Sequence, residues 1–166
     1  ALPSGTSLSG ASDKPIYRFS VAASPGGNGI GINKFTFRFS TSSATTIIDL
    51  LDNINVRAYS DAGFSSIITA NIQTDGTLMT ADKNLAANWA SASTDIAVYA
   101  ETSANASTTF QIPAGGTRYF EVIGDVTLSG AGATYSVSTQ LQGDPRFSAN
   151  VAQYAGATST TAGGSA

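Results

Sequence analysis

The sequence contains neither cysteine nor histidine. Without cysteine there is no disulfide framework and no thiolate nucleophile. Without histidine the commonest general base is missing, and most zinc sites go with the pair. A serine nucleophile would therefore stand without the imidazole partner of a Ser-His-Asp triad. Charge is scarce as well, at 11% Asp, Glu, Lys and Arg against about 25% in an average globular protein. The eight basic residues are scattered from Lys14 to Arg146, so no basic stripe exists to track a phosphate backbone, and nucleic acid is excluded as a partner. No apolar run approaches the roughly 20 residues of a membrane-spanning helix.

What fills the space is small and hydroxylated. Ser, Thr, Ala, Gly and Asn occupy the places where Lys and Glu usually sit, and the net charge is only −3. Mutual repulsion normally keeps soluble monomers apart. Its weakness suits crowded assembly, glycosylation or secretion, and it places the protein outside the cell or on its surface. Hydrophobic residues still make up 42%, with eight Phe and six Tyr. That is too apolar for a disordered chain, and 166 residues fit one domain with a sizeable core. The chain opens at Ala1 rather than Met, which is expected of a cleaved signal peptide or of a piece excised from a longer protein.

The clearest pattern lies in Thr108 to Val126. Phe110 and Ile112 alternate with polar neighbours, Pro113-Ala114-Gly115-Gly116 breaks the run, and Phe120, Val122, Gly124 and Val126 resume it. Period-two alternation on both sides of a Pro/Gly break predicts two antiparallel strands meeting at a turn. Strands with one apolar face need a second layer to cover it. The same alternation recurs at Tyr17, Phe19 and Val21, at Phe35, Phe37 and Phe39, and at Tyr135, Val137, Thr139 and Leu141. Ile30 and Ile32 have the opposite parity to the Phe triplet, which predicts a β-bulge near Asn33. Val56 to Tyr59, Ile67 to Ile72 and Ile96 to Ala100 are further strand candidates, and Asp75-Gly76 is a hairpin signal. Ile47, Ile48, Leu50, Leu51 and Ile54 admit a short helical turn, and residues 81–93, with Trp89, have weak helical character.

Seven to nine short strands give an all-β fold, an immunoglobulin-like or jelly-roll-like antiparallel β-sandwich. Its expected limits are residues 15–144, with a flexible Ser/Gly-rich arm over 1–14 and a strand and tail over 145–166. The expected core comprises Phe35, Phe37, Phe39, Phe110, Phe120 and Val122, with Tyr17 and Phe19 at least partly buried.

Motifs that carry chemistry are imitated rather than present. Gly5-Thr6-Ser7-Leu8-Ser9 lacks the final glycine and the strand-to-helix setting of a nucleophile elbow. Gly27-Asn28-Gly29-Ile30-Gly31 has Ile32 where a dinucleotide loop needs its third glycine, and a strand follows where a helix should start. Its plain reading is a flexible loop between strands. The carboxylate pairs Asp49/Asp52 and Glu121/Asp125 are the nearest to a glycosidase arrangement, and both are expected on outer, solvated faces. Asp61, Asp75, Asp82 and Asp144 offer loop oxygens for calcium, yet no calcium-loop spacing is present. The chain is therefore read as no enzyme, with no metal and no cofactor. Asn105-Ala106-Ser107 is an N-glycosylation sequon. Tyr17, Tyr59, Trp89, Tyr99 and Tyr119 would be sugar-stacking platforms if exposed, although isolated strand aromatics usually pack.

Taken together, Ile16-Tyr17-Arg18-Phe19-Ser20-Val21, Ile32-Asn33-Lys34-Phe35-Thr36-Phe37, Asn55-Val56-Arg57-Ala58-Tyr59-Ser60-Asp61 and Ile112-Pro113-Ala114-Gly115-Gly116-Thr117 make residues 15–144 resemble the Ig-like β-sandwich modules of large bacterial cell-surface and S-layer-type proteins. The resemblance implies a structural or adhesive part at the cell surface. The expected function is a structural subunit of a pilus-like filament or surface lattice, a homopolymer joined by donor-strand complementation. The alternative is a carbohydrate-binding adhesin module with surface glycans as partners. Two segments outside the sandwich have the pattern of a donor strand: Phe147, Ala149 and Val151 on one apolar face, and Leu2 and Leu8 in the N-terminal arm. Pro145, which has no N–H to continue a ladder, marks the exit from the last core strand.

Overall fold

The computed structural model describes residues 10–41, 51–69, 77–81, 93–103, 106–126 and 136–142. These residues are all-β, with antiparallel pairing throughout and no helix, as the alternation implies. The strands are β1 Ala11–Ala22, β2 Ile30–Ile32, β3 Lys34–Thr41, β4 Leu51–Tyr59, β5 Thr77–Ala81, β6 Ser93–Ser103, β7 Ala106–Ser107, β8 Phe110–Ile112, β9 Thr117–Val126 and β10 Val137–Gln142. One large sheet follows the order β1-β9-β4-β5-β6-β3-β10, with β7 added to β6, while β2 and β8 form a separate two-stranded ladder.

The large sheet folds over on itself. Four strands separate β1 from β3 along the path, yet the Phe19 and Phe35 rings meet edge-to-face at 4.9 Å and those of Phe19 and Phe37 at 5.9 Å. β1, β9 and β4 thus face β6, β3 and β10, and β5 carries the sheet from one layer to the other. Phe37, Phe39 and Phe120 are wholly buried between the layers, together with Val56, Ile96, Val98 and Val122. Phe110 and Ile112 of the small ladder close one end, with the Phe110 ring edge-on to Phe120. Of the expected core, Phe37, Phe39, Phe110, Phe120 and Val122 are buried, Tyr17 and Phe19 are half-buried, and Phe35 is only half-buried.

Several local expectations change. The parity switch at Asn33 is a change of sheet rather than a bulge: β2 pairs with β8, and one residue later β3 pairs with β6 and β10. Asn33 holds the corner, its carbonyl accepting from Ala100 N–H and its side chain from the Thr109 hydroxyl. The strands flanking Pro113–Gly116 likewise do not pair with each other, because β8 joins β2 while β9 lies between β1 and β4. The turn itself is closed by Gly116 N–H to the Pro113 carbonyl at 2.8 Å. The glycine-rich segment 24–29 is an exposed loop between β1 and β2, as expected, and it is anchored at its two ends. Ser24 carbonyl accepts from Gly115 N–H, and Gly29 has φ 89° with no room for a Cβ, which would lie 2.5 Å from the Ile112 carbonyl oxygen.

The residues that admitted a helical turn belong, from Leu51 onward, to β4. Leu51 and Ile54 are both buried three apart because a register shift between Asp52 and Asn55, with Asn53 at φ 52°, inserts a bulge. A bulge resets which residues face inward and so imitates helical spacing. Of the strand expected over Ile67 to Ile72, Ile67 makes an isolated antiparallel bridge to Tyr59, and residues 70–72 lie outside the described residues. β1 starts at Ala11, inside the segment expected as an arm, because Asp13 rather than an apolar residue ties it down. Asp13 N–H donates to the Asp125 carboxylate at 2.9 Å, and its own carboxylate pairs with Arg57 at 3.0 Å. The helical character over 81–93 and the Asp75-Gly76 hairpin lie outside the described residues, apart from Ala81 and Ser93, which end β5 and begin β6.

Candidate functional site

Two features of the folded sheet stand out: a polar cluster on the outer face of the β1-β9-β4 layer, and an open side between the sheet's two edges.

The cluster centres on Glu121. Cross-strand register sets it directly between Arg18 of β1 and Arg57 of β4. By parity it belongs to the outer face, as expected, but it is buried, at 5% exposure, and not solvated. The loop after β4 folds over it. Phe64 packs edge-on against Tyr59 at 5.4 Å and Tyr119 at 6.2 Å, and the Arg18 guanidinium lies 4.4 Å above the Phe64 ring. Arg18 Nε donates to Glu121 Oε1 at 2.7 Å and the Tyr59 hydroxyl to Oε2 at 3.0 Å. Burial, together with that bond to a carboxylate, pushes the Tyr59 hydroxyl up to about 12. Asp61 clamps the loop. Its carboxylate accepts the Ser66 N–H at 2.6 Å and also the N–H and hydroxyl of Ser65, and the Ser66 bond foremost holds it below its ordinary range. An Asp spent in this way brackets a turn.

This arrangement braces β1 and β4 across β9. Every Glu121 oxygen has a partner, and the other carboxylate expected beside it, Asp125, is taken up by Asp13 N–H and Asn53. Among the described residues no group of three acidic side chains is placed to hold a metal. Asp75, Asp82, Asp144 and Asp49 lie outside the described residues, as do Trp89 and the sequon residue Asn105; of Asp52 only the backbone is described. Of the tyrosines considered for sugar stacking, Tyr59 is buried and Tyr17 and Tyr119 are half-buried in ring contacts. Tyr99 is exposed, at 38%, with the Lys34 ammonium 5.1 Å above its ring.

The open side is defined by what pairs with what. Among the described strands β1 has β9 on one edge and none on the other, and β10 has only β3. Over Tyr17 to Ala22 the β1–β9 register is unbroken, whereas both of its irregularities fall before Tyr17, around Asp13 and Pro15. Proline and irregular pairing blunt an edge, and a regular stretch leaves its free N–H and C=O row available. The inward side chains along this side, Tyr17, Phe19 and Val21 of β1, Phe35 of β3 and Val137 and Leu141 of β10, pack on the core yet are only half-buried. At one end the side opens into an apolar pocket of about 260 Å³ between Val21, Ile30, Ile32 and Phe35. Sequence reasoning placed β1 and the Phe triplet in the core but did not show that they meet at a gap. Phe147, Ala149, Val151, Leu2 and Leu8 lie outside the described residues.

Neither a family model, nor a curated protein, nor a solved structure matches the chain. Among the described residues no helix is long and apolar enough to cross a membrane.

Proposed function

We propose that this protein is a non-enzymatic, extracellular structural subunit that polymerises into a surface filament or lattice by strand complementation between copies. The observation that carries this reading is the regular edge of β1, without a partner among the described strands, beside half-buried Tyr17, Phe19, Val21 and Phe35. A strand supplied by another molecule satisfies the backbone groups and covers the apolar side chains in one step. The low charge of the chain removes the repulsion that would oppose it. The resemblance to Ig-like cell-surface and S-layer-type modules supports the same setting.

The rival adhesin reading relies on exposed aromatics, of which Tyr99 is the one that is open among the described tyrosines. Electron microscopy of the purified protein over a concentration series, combined with a glycan-array screen, separates the two. The expected outcome is filaments or sheets above a threshold concentration and no specific sugar binding. Dispersed monomers that bind one class of glycan contradict it.

A further inference from the structure

The open side has a shape, a direction and a length, and these select what fills it. Regular pairing with β9 spans the six residues Tyr17 to Ala22, enough for a strand of about 20 Å. The pocket between Val21, Ile30, Ile32 and Phe35 lies at the end where Gln142, the last residue of β10, pairs with Thr36. Its volume of about 260 Å³ exceeds the roughly 150 Å³ of an engineered cavity that holds benzene. An aromatic anchor therefore fits, followed by smaller apolar residues at every second position to cover Phe19 and Tyr17.

Within this chain the segment Arg146 to Tyr154 has that order: Phe147, then Ala149, then Val151, with polar Ser148 and Asn150 between. Leu2 and Leu8 offer no ring and are separated by five residues. The connection out of β10 also bears on which molecule supplies the strand. A three-residue hairpin through Gly143-Asp144-Pro145 needs a left-handed residue at its last position, which proline, fixed near φ −65°, does not adopt. A two-residue Gly143-Asp144 turn needs an N–H from Pro145, which it lacks, and places Asp144 in a conformation disfavoured before proline. The sequence Gly143-Asp144-Pro145 therefore disfavours a tight hairpin back along β10 of the same molecule, which favours a second copy as the source of the strand.

We infer that the segment 146–151 of one copy fills the side between β1 and β10 of a second copy, with Phe147 seated in the pocket between Val21, Ile30, Ile32 and Phe35. This rests on the self-assembly reading. The occupant is a second copy of this chain, and both the address and the anchor are specific.

A chain with no cysteine of its own suits disulfide mapping. Val21→Cys and Phe147→Cys proteins are mixed, allowed to assemble and oxidised mildly, with Ile30→Cys replacing Val21→Cys as a second acceptor variant. The expected result is a disulfide joining one Val21→Cys copy to one Phe147→Cys copy, and the same with Ile30→Cys. Three results overturn the inference while leaving self-assembly standing: a Leu8→Cys copy that links to Val21→Cys instead, polymers that form without either cross-link, or a Val21→Cys/Phe147→Cys double variant that links only within one chain while wild type still polymerises. A wild-type protein that stays monomeric throughout overturns the self-assembly reading itself.

Discussion

Replacing Phe37 with Ala lowers the stability of the fold by about 3–5 kcal/mol, the range for emptying a fully buried aromatic site. Phe37 has no exposed surface, and its ring meets those of Tyr17, Phe19, Phe35 and Phe39 at 5.9–6.4 Å, the closest of the four being Phe19 at 5.9 Å. It sits in register with Ile96 of β6 on one side and Leu141 of β10 on the other. Its loss therefore opens a void bounded by both layers, which no single strand can close by shifting. A loss of that size is a large share of a typical total of about 5–15 kcal/mol. Phe35→Ala costs less, because Phe35 is half-buried and its pocket already opens outward. Urea unfolding of the two variants beside wild type measures the difference, and equal losses would show that Phe37 is not the centre of the core.

The second large effect is expected at Glu121. Glu121→Ala costs about 3 kcal/mol, the low end for removing one partner of a buried pair, because Arg18 keeps 30% of its side chain exposed and can turn to water. The variant also strips the Tyr59 hydroxyl of its acceptor. Tyr59 gives a second readout. Its folded-state pKa, about 12, is raised above the ordinary 10 by burial first and by the Glu121 bond second. A raised pKa means that the folded state holds the proton more tightly. The associated stability is fully present below pH 10 and is lost as the pH climbs from 10 through 12. In Glu121→Ala the Tyr59 ionisation moves back toward 10, since burial remains but the bond is gone. Alkaline ultraviolet titration against a Tyr59→Phe control reads this shift, and an unchanged ionisation would show that Glu121 does not hold the hydroxyl. Glu121→Gln, which keeps an acceptor for Tyr59 but no charge for Arg18, falls between the two.

The sequence made the sheet legible wherever one face was apolar and the other polar. β1, β3 and β10 show that alternation, and Phe37, Phe39, Phe110 and Phe120 are buried as it implies. Alternation says which face a side chain takes but not what lies beyond that face. Glu121 was rightly placed opposite Phe120 and Val122, but its burial depends on Phe64, more than fifty residues away and held over it by Asp61. Period counting also fails where the chain breaks its own ladder. The bulge at Asn53 made Leu51 and Ile54 resemble a helical pair, and the sheet change at Asn33 resembled a bulge. Glycines in segment 24–29 marked a loop between strands, but not that Gly29 has φ 89° and lies where the Ile112 carbonyl leaves no space for a side chain. The open side was the least legible feature. Tyr17 and Phe35 read simply as core, and only the order of strands in space puts them at the rim of a gap.

The most direct test of strand complementation is amide hydrogen exchange over β1, read by mass spectrometry in dilute monomer and again after assembly. In an edge strand every second amide points away from its one neighbour. Peptides covering Tyr17 to Ala22 are therefore expected to exchange about half of their amides quickly in the monomer and to gain protection when polymers form. β4 and β9, already paired on both sides, should not change. Polymers whose β1 amides exchange as fast as those of the monomer would contradict the account, because the joint between copies would then lie elsewhere.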